Sequence, residues 1–560
     1  MGRDPTKISY YDVYLIIKEL MYCDTPQVNQ LTALLEAHHI RHIVVCPGSR
    51  NATIAHNLNE KGENCFTLHP VTDERSAAFV AIGLILATQE CTAVCVTSGS
   101  ALINCIPAVA EAYYRHLPLL IISADRPQNW IGQLDGQTLP QSGALLPYCP
   151  TYTLRNDVNA ENEWFNNRSI NEAILSLYRE GGCPAHINVP IAEPMFRFTT
   201  EQLPHERKIS FYEPASDVPI PPHVIDLIAQ AQLPALIIGQ YERGDIRHEV
   251  ERIDRDEQLL VLPEVIADVK GSFRMNAFDA LQSNEAITPD VVIQIGGNFI
   301  HKRFKALLRS TNCKVIRISP SPLIADTFCH LDAHVMASPA KALAQLSIAL
   351  PRNKQGIAQA KALLDHKWNE QKNLLIAHSK THFDMHHVLC TLKQSLAQYE
   401  QSYTLHLGNS TTVRVAGQVF EGGEAPIFCN RGTNGIEGSL STAVGYAIGM
   451  WGLSICIIGD LSFFYDCNAL WNTQLPNNLR ILLLNNHHGG IFDHLPGLSQ
   501  SPARDSFIAA GHQSFTTQGI AEAYHLNYFK ATEANSLTSA LHEWLKPSSS
   551  AQLLEVELPQ

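Results

Sequence analysis

Apolar runs of strand length recur along this chain, and most are continuous rather than alternating. They lie at 42–46, 93–97, 119–123, 235–239, 291–295, 314–318, 405–408, 427–429, 455–458, 481–484 and 553–556. Continuous apolarity marks strands covered on both faces. Helical patterns fill most of the intervals, and strands alternating with helices fold as parallel sheets in an α/β architecture. A length of 560 residues allows about three or four domains at roughly 150 residues each. Two polar breaks divide the chain. Residues 196–222 hold Pro204, Pro214, Pro219, Pro221 and Pro222, and residues 350–385 open at Pro351 and carry a long polar helix over 357–377. We therefore expect three parallel-sheet domains, 1–195, 196–355 and 356–560, the last opening with a linker helix at 356–380. No close sequence repeat is visible, yet the first and third segments share a layout of strand, motif loop and helix.

Composition excludes several classes of function. Net charge is −13 and no block of Lys or Arg forms a stripe, which argues against nucleic acid as a partner. No apolar run reaches membrane-span length. The start, Met1-Gly2-Arg3-Asp4-Pro5-Thr6, has no apolar signal core, and its match to a myristoylation signal reads as coincidence. The 14 cysteines are scattered without a Cys-x-x-Cys pair, and many sit in apolar runs such as those of Cys46, Cys95 and Cys456. Thiols there behave as small hydrophobes, as expected of a reduced, cytoplasmic protein.

Chemistry concentrates where predicted strands end. Gly459-Asp460-Leu461-Ser462 follows one strand, and Asn486, within Asn485-Asn486-His487-His488-Gly489-Gly490, follows the next. An acid and an amide at adjacent strand ends offer hard oxygen ligands, and the His488 carbonyl offers a third. Three protein ligands are too few for a closed Mg²⁺ cage, so a metal-bridged diphosphate is the expected ligand. Gly459 and Ser462 lie where backbone amides and a hydroxyl can meet phosphate at a helix start. Gly-Asp alone is more often a helix cap; the amide pair beyond the second strand favours the metal. Gly408-Asn409-Ser410 and Asn430-Arg431-Gly432-Thr433-Asn434-Gly435-Ile436 also follow strands. By themselves they are equally turn chemistry or phosphate approach. Glu74 opens a buried helix, where it serves either the helix dipole or catalysis.

These segments resemble thiamine diphosphate enzymes, and more narrowly the 2-succinyl-5-enolpyruvyl-6-hydroxy-3-cyclohexene-1-carboxylate synthases of menaquinone biosynthesis. The narrower likeness rests on Cys46-Pro47-Gly48-Ser49-Arg50, Asp73-Glu74-Arg75-Ser76, Thr97-Ser98-Gly99-Ser100-Ala101, Ala124-Asp125-Arg126-Pro127, Gly408-Asn409-Ser410, Asn430-Arg431-Gly432, Gly459-Asp460-Leu461-Ser462 and Gly489-Gly490-Ile491-Phe492. The resemblance implies pyrimidine-binding, central and diphosphate-binding domains, with active sites between subunits of a homodimer or homotetramer. It implies decarboxylation of 2-oxoglutarate and Stetter-like 1,4-addition of the succinyl carbanion equivalent to isochorismate. Glu74 becomes the acid that activates the cofactor, and Asp460, Asn486 and His488 hold Mg²⁺ or Mn²⁺. Pro47, Asn409, Ser410, Ile436, Gly459, Leu461 and Ser462 contact the cofactor, Ile436 by propping its bent shape. Ser49, Arg50, Arg126, Gln137, Lys302, Arg303, Ser410, Arg414, Arg431, Ile491, Phe492 and Leu495 line the substrate pocket.

Both implied substrates are dicarboxylates. Arg50, Arg126, Arg303, Arg414 and Arg431 stand beside motif loops in an acidic chain, and guanidinium forks suit carboxylates. That number of arginines argues against the runner-up, a pyruvate enzyme of the acetolactate synthase type. Intact Glu74, Asp460 and Asn486 argue against a non-catalytic copy of the fold. Two departures from the family pattern stand out. Gly136 replaces a common Asn before Gln137, so that one polar contact to isochorismate is lost or taken by water. His487-His488 replaces Asn-Gly or Asp-Gly, which strains the loop if positive φ is needed there. His38, His39 and His42 read as an exposed helix face. Gly296-Gly297-Asn298 lacks the full dinucleotide fingerprint, and no nucleotide is expected in the central domain.

Overall fold

A computed structural model describes residues 21–212, 219–242, 245–282, 287–472, 475–495, 497–511 and 517–559. The N-terminal hexapeptide and Pro214 lie outside these residues. Three sheets form, and every strand pairing within them is parallel. The first contains β1 (His42–Val45), β2 (Thr67–Pro70), β3 (Thr92–Val96), β4 (Leu119–Asp125), β5 (Thr151–Thr153) and β6 (Ala185–Pro190), in the order β2-β1-β3-β4-β6-β5. The second contains β7 (Pro234–Ile238), β8 (Leu260–Pro263), β9 (Val291–Ile295), β10 (Lys314–Ser319) and β11 (Leu331–Met336), in the order β11-β10-β9-β7-β8. The third contains β12 (Tyr403–Leu407), β13 (Ile427–Cys429), β14 (Leu453–Gly459), β15 (Leu479–Asn485), β16 (Asn527–Ala531) and β17 (Gln552–Glu557), in the order β13-β12-β14-β15-β17-β16.

Counted from its own first strand, the third sheet repeats the order of the first. The shared layout read in the sequence is therefore a shared topology. In each sheet the first strand lies between its second and third, so consecutive connections leave in opposite directions. Such a switch point opens a crevice at the carboxyl ends of the two central strands. The pairs are β1 and β3, β7 and β9, and β12 and β14. The loops after these six strands carry Pro47–Arg50, Thr97–Ser100, Gln240–Glu242, Gly296–Lys302, Gly408–Ser410 and Asp460. Topology alone thus gathers most of the motif loops at three crevices.

The first and third sheets share one hydrophobic core, which runs from Val44 and Val96 through Val444 to Leu483. Its centre is a helix pair, Glu74–Thr88 against Ser439–Gly449, and both helices are apolar on nearly all sides. A Cβ on Gly83 would lie 2.1 Å from the Thr442 carbonyl oxygen, and one on Gly445 would lie 2.0 Å from that of Val80. The two backbones touch, so only glycine fits at the crossing. The polar helix expected at 357–377 spans Gln355–Ser379 and buries Ile357, Ala360, Leu364 and Trp368.

Candidate active site at the strand ends

β14 and β15 are neighbours in register, with Gly459 opposite Leu484, which sets Asp460 beside the Asn485–Asn486 turn. Asp460 begins the helix Asp460–Asp466 and is 3% exposed. Its Oδ1 accepts the Leu461 N–H at 2.9 Å. A Cβ on Gly490 would stand 2.7 Å from the Asn486 amide nitrogen. Glycine at this position therefore leaves the Asn486 side chain its room. The His488 carbonyl accepts the Gly490 N–H at 3.0 Å and keeps a second lone pair. An acid at the end of one strand, and an amide and a carbonyl in the turn after its neighbour, are oxygen donors of the kind that could bind Mg²⁺ together with phosphate.

The strain expected at His487-His488 falls on His487, at φ 63°, and not on His488. Histidine is among the residues enriched in the left-handed region, and the His487 N–H is held by Asn485 Oδ1 at 3.2 Å. The His488 imidazole turns away to Asp493, 2.7 Å from Nε2. Burial lowers its pKa, and the hydrogen bonds to Asp493 and the Asn486 carbonyl together with the charges of Asp493 and Asp460 outweigh this, so the group ends above its ordinary value.

Asn409 ties the second loop together. Its Nδ2 donates to the carbonyls of Asn430 and Gly435, each at 2.6 Å, and its Oδ1 accepts from Arg431 Nη1 at 3.2 Å. Ser410 takes φ 72° and ψ −128°. That conformation costs a non-glycine residue about 1–3 kcal/mol and concentrates at functional sites. The Ser410 carbonyl accepts from Arg414. Arg431 is 6% exposed, and its Nε has no partner. Burial and then Arg431 lower the pKa of Arg414, while burial and Arg431 outweigh Glu264 to lower that of Lys305. Among the described residues no carboxylate forms an ion pair with Arg414, Arg431 or Lys305. Arg431 thus acts by charge on both Arg414 and Lys305, and none of the three forms an ion pair among the described residues.

The first sheet carries a second pair of guanidinium groups. Arg50 is 5% exposed and donates to the Ile191 carbonyl at 2.9 Å. Glu193 lies 3.2 Å from Arg50 and 3.9 Å from Arg126, and Asp135 lies 2.8 Å from Arg126. These arginines already hold carboxylates of the chain itself. Gln137, at φ 55°, packs against the space beside Gly99 and is exposed. Pro47 and Ser49 are exposed at the end of β1.

Glu74 is not the helix cap. Asp73 takes that role, accepting the Ser76 N–H at 3.1 Å through Oδ1 and Asn468 Nδ2 at 2.7 Å through Oδ2. Glu74 is left with a 3.4 Å contact to Asn104 Nδ2. Arg75 donates to the Tyr465 carbonyl at 2.7 Å. Within one chain Glu74 therefore lies near the far end of the Asp460–Asp466 helix rather than its start.

The chain is 39% identical over 555 residues to the 2-succinyl-5-enolpyruvyl-6-hydroxy-3-cyclohexene-1-carboxylate synthase of Phocaeicola vulgatus, covering 96% of both chains. It is 37% identical over 552 residues to the protein of the same name in Bacteroides thetaiotaomicron, again covering 96% of both. The chain belongs to this synthase family. Residues 28–144 also match the family described as thiamine pyrophosphate enzyme, N-terminal TPP binding domain. A more distant namesake, from Flavobacterium johnsoniae, is 33% identical over 557 residues, covering 96% of this chain and 97% of its own.

In this member of the family, Lys302 and Arg303 open the helix Lys302–Arg309 and are exposed. Cations oppose the dipole at a helix N-terminus, so they do not stabilise the fold there. Arg303 donates to the Asp279 carbonyl at 2.9 Å. Ile436 and Leu495 are 38% and 40% exposed, while Ile491 and Phe492 are half-buried. The residues not foreseen from sequence are Lys305 and a buried ionic triad. Arg115 contacts Glu242 at 2.6 Å and Glu111 at 3.4 Å, and all three side chains are at most 4% exposed. Glu111 also accepts the N–H groups of Gly432 and Thr433, at 2.9 and 2.7 Å. A Glu-x-x-x-Arg step on an otherwise apolar helix was the only sequence signal for it. Gly296-Gly297-Asn298 proves to be a packing device. A Cβ on Gly239 would lie 2.4 Å from the Gly297 carbonyl oxygen, and Asn298 Nδ2 donates to the Arg431 carbonyl at 2.9 Å. The histidines read as one exposed face are separated: only His39 is exposed, His38 bonds Asn171 at 2.8 Å, and His42 lies in β1 at 3.2 Å from His69.

Proposed function

We propose that this chain decarboxylates 2-oxoglutarate with thiamine diphosphate and adds the succinyl unit to isochorismate by Stetter-like 1,4-addition. The products are 2-succinyl-5-enolpyruvyl-6-hydroxy-3-cyclohexene-1-carboxylate and CO2, within menaquinone biosynthesis. The observation that carries this reading is the cluster of Arg414, Arg431 and Lys305, none in an ion pair among the described residues, close to the motif loops of the third sheet. Adjacent cations, one buried and two half-buried, with no ion-pair partner favour an incoming anion, and both substrates bring two carboxylates. The relatives' shared name points the same way.

In this reading Asp460, Asn486 and the His488 carbonyl hold Mg²⁺ or Mn²⁺, and Gly459, Leu461, Ser462, Asn409, Ser410 and Pro47 contact the cofactor. Bound thiamine diphosphate supplies carbanion stabilisation, and the protein supplies position and charge. Glu74 holds a proton against the pyrimidine ring, and Ile436 props the cofactor from below. Arg414 and Arg431 orient carboxylates at the reacting end, while Ser49, Arg50, Arg126, Gln137, Lys302 and Arg303 receive the second substrate. Ile491, Phe492 and Leu495 exclude water. Residues 1–195, 196–355 and 356–560 serve as pyrimidine-binding, central and diphosphate-binding domains of a cytoplasmic homodimer or homotetramer. Exposed apolar residues border both half-sites: Ile103 and Tyr465 near Glu74, at 41% and 51%, and Ile436 and Leu495 near the metal loop. Such patches suit contact with a second copy.

Incubation with thiamine diphosphate, Mg²⁺ and 2-oxoglutarate, with and without isochorismate, tests the reading by mass spectrometry. The named product should form only when both substrates are present. Product from pyruvate instead of 2-oxoglutarate would sink the dicarboxylate assignment. Asp460→Ala should also lose the thermal shift that cofactor plus Mg²⁺ gives the parent, worth about 2.7 kcal/mol at a hundredfold excess over Kd. An undiminished shift would place the metal elsewhere.

A further inference from the structure

The segment joining the linker helix Gln355–Ser379 to the helix Met385–Leu396 carries His378, His382, His386 and His387 around Asp384. Asp384 divides its labour. Oδ1 caps the second helix by accepting the His387 N–H at 3.0 Å, while Oδ2 faces two imidazoles. His378 Nε2 is 2.6 Å from Oδ2, and His386 Nδ1 is 3.8 Å from it. The three ligand atoms all lie within 4.8 Å of one another.

The opposite nitrogen of His386 supplies a second observation. His386 Nε2 is 2.9 Å from Gln418 Oε1, an oxygen that can only accept. The ring is therefore protonated at Nε2 when neutral, and Nδ1 presents a lone pair. That lone pair faces a carboxylate oxygen with no hydrogen between them. Two electron-rich atoms set this way favour a cation. An imidazole bound through one nitrogen and anchored to a carbonyl through the other is the usual arrangement of a metal-ligating histidine. His382 stacks on His378 with ring centroids 4.4 Å apart, and its Nδ1 bonds Thr381 Oγ1 at 2.8 Å, so it does not point into the group.

We propose that His378, Asp384 and His386 form a Zn²⁺ site, separate from the magnesium site of the cofactor. Two imidazoles and one carboxylate suit Zn²⁺ better than Mg²⁺ or Ca²⁺. Tetrahedral zinc with bonds near 2.0–2.1 Å sets its ligand atoms about 3.3 Å apart. The observed 2.6 and 3.8 Å separations bracket that value, and the two imidazole nitrogens lie within 4.8 Å of each other. Water completes the coordination. Ligands on both sides of the turn would pin the linker helix to the first helix of the third domain.

The test uses the full-length protein saturated with thiamine diphosphate and Mg²⁺, titrated with Zn²⁺ by calorimetry and with Co²⁺ by visible absorption. The expected result is one tight site per chain, with the absorption bands of four-coordinate, histidine-bound Co²⁺ and no thiolate charge-transfer band. Asp384→Asn keeps the helix cap, because Asn caps as well as Asp, and should abolish that site, as should His386→Gln. Gln418→Ala leaves all three ligands in place, removes only the anchor of His386, and should weaken binding about 10–100-fold. Absence of the site in the parent, its survival in Asp384→Asn and His386→Gln, or a cobalt spectrum dominated by thiolate would each overturn the proposal.

Discussion

Replacing Glu74 by Gln is expected to lower turnover about 10²–10⁴-fold, the range for losing one positioned acid–base group, while leaving the unfolding midpoint unchanged. The two halves of that expectation have separate grounds. Stability holds because the fold does not rest on this carboxylate. Asp73 caps the helix and also bonds Asn468, so the junction between the first and third sheets keeps its fastening. Among the described residues the side-chain hydrogen bond to Glu74, from Asn104 Nδ2 at 3.4 Å, can be accepted equally by an amide oxygen. Activity falls because an amide cannot shift a proton to and from a heterocycle. Steady-state turnover and urea unfolding, measured on one preparation, decide it. Asp73→Asn provides the contrast, since it keeps a capping oxygen but sets an amide donor against Asn468 Nδ2, disturbing the junction without removing the acid. Turnover in Glu74→Gln within threefold of the parent would remove this residue from the mechanism.

The sequence was most legible where strands are buried on both faces. β9, β13, β14 and β15 are short apolar blocks that could be bounded to within two residues. The strands that escaped are mostly at sheet edges: β2 and β5 in the first sheet, β11 and β8 in the second, β16 in the third. An edge strand is covered less fully, so β11 reads Leu-Asp-Ala-His-Val-Met and β16 reads Asn-Tyr-Phe-Lys-Ala. β8 is apolar throughout and has no such excuse. β6 is central yet polar. His186 and Asn188 are buried in it, bonded to Ser123 on β4 at 2.7 and 2.9 Å, and they interrupt the apolar run by which the other strands were found. The site residues were legible because hydroxyls, amides and acids stood directly after strands. The triad was not, because Glu242 lies in a loop far along the chain from the helix that carries Glu111 and Arg115. Buried charge announces itself only once its partner is in place.

That triad underlies the second large effect. Arg115→Met should cost about 3–5 kcal/mol, the usual result of removing one partner from a buried ionic group. The reason is local. Glu111 and Glu242 would remain inside the protein with their shared cation gone. The consequence reaches further, since the three residues join three sheets. Arg115 lies at the end of the helix Ile106–Arg115 and donates to Asn430 Oδ1 at 2.8 Å, Glu111 holds the N–H groups of Gly432 and Thr433, and Glu242 accepts from Gln240, which also donates to the Cys429 carbonyl at 2.7 Å. Apart from the Gln240–Glu242 bond, each of these lands within two residues of Arg431. A displaced loop moves the guanidinium that receives a substrate carboxylate, so KM for the 2-oxoacid should rise in the folded variant while the affinity for cofactor changes little. Denaturant midpoints combined with KM at a temperature where the variant stays folded separate the two effects. A variant that loses stability but keeps KM would show the triad to be a fastening alone. One that keeps both would mean that Glu111 and Glu242 take up protons and need no cation.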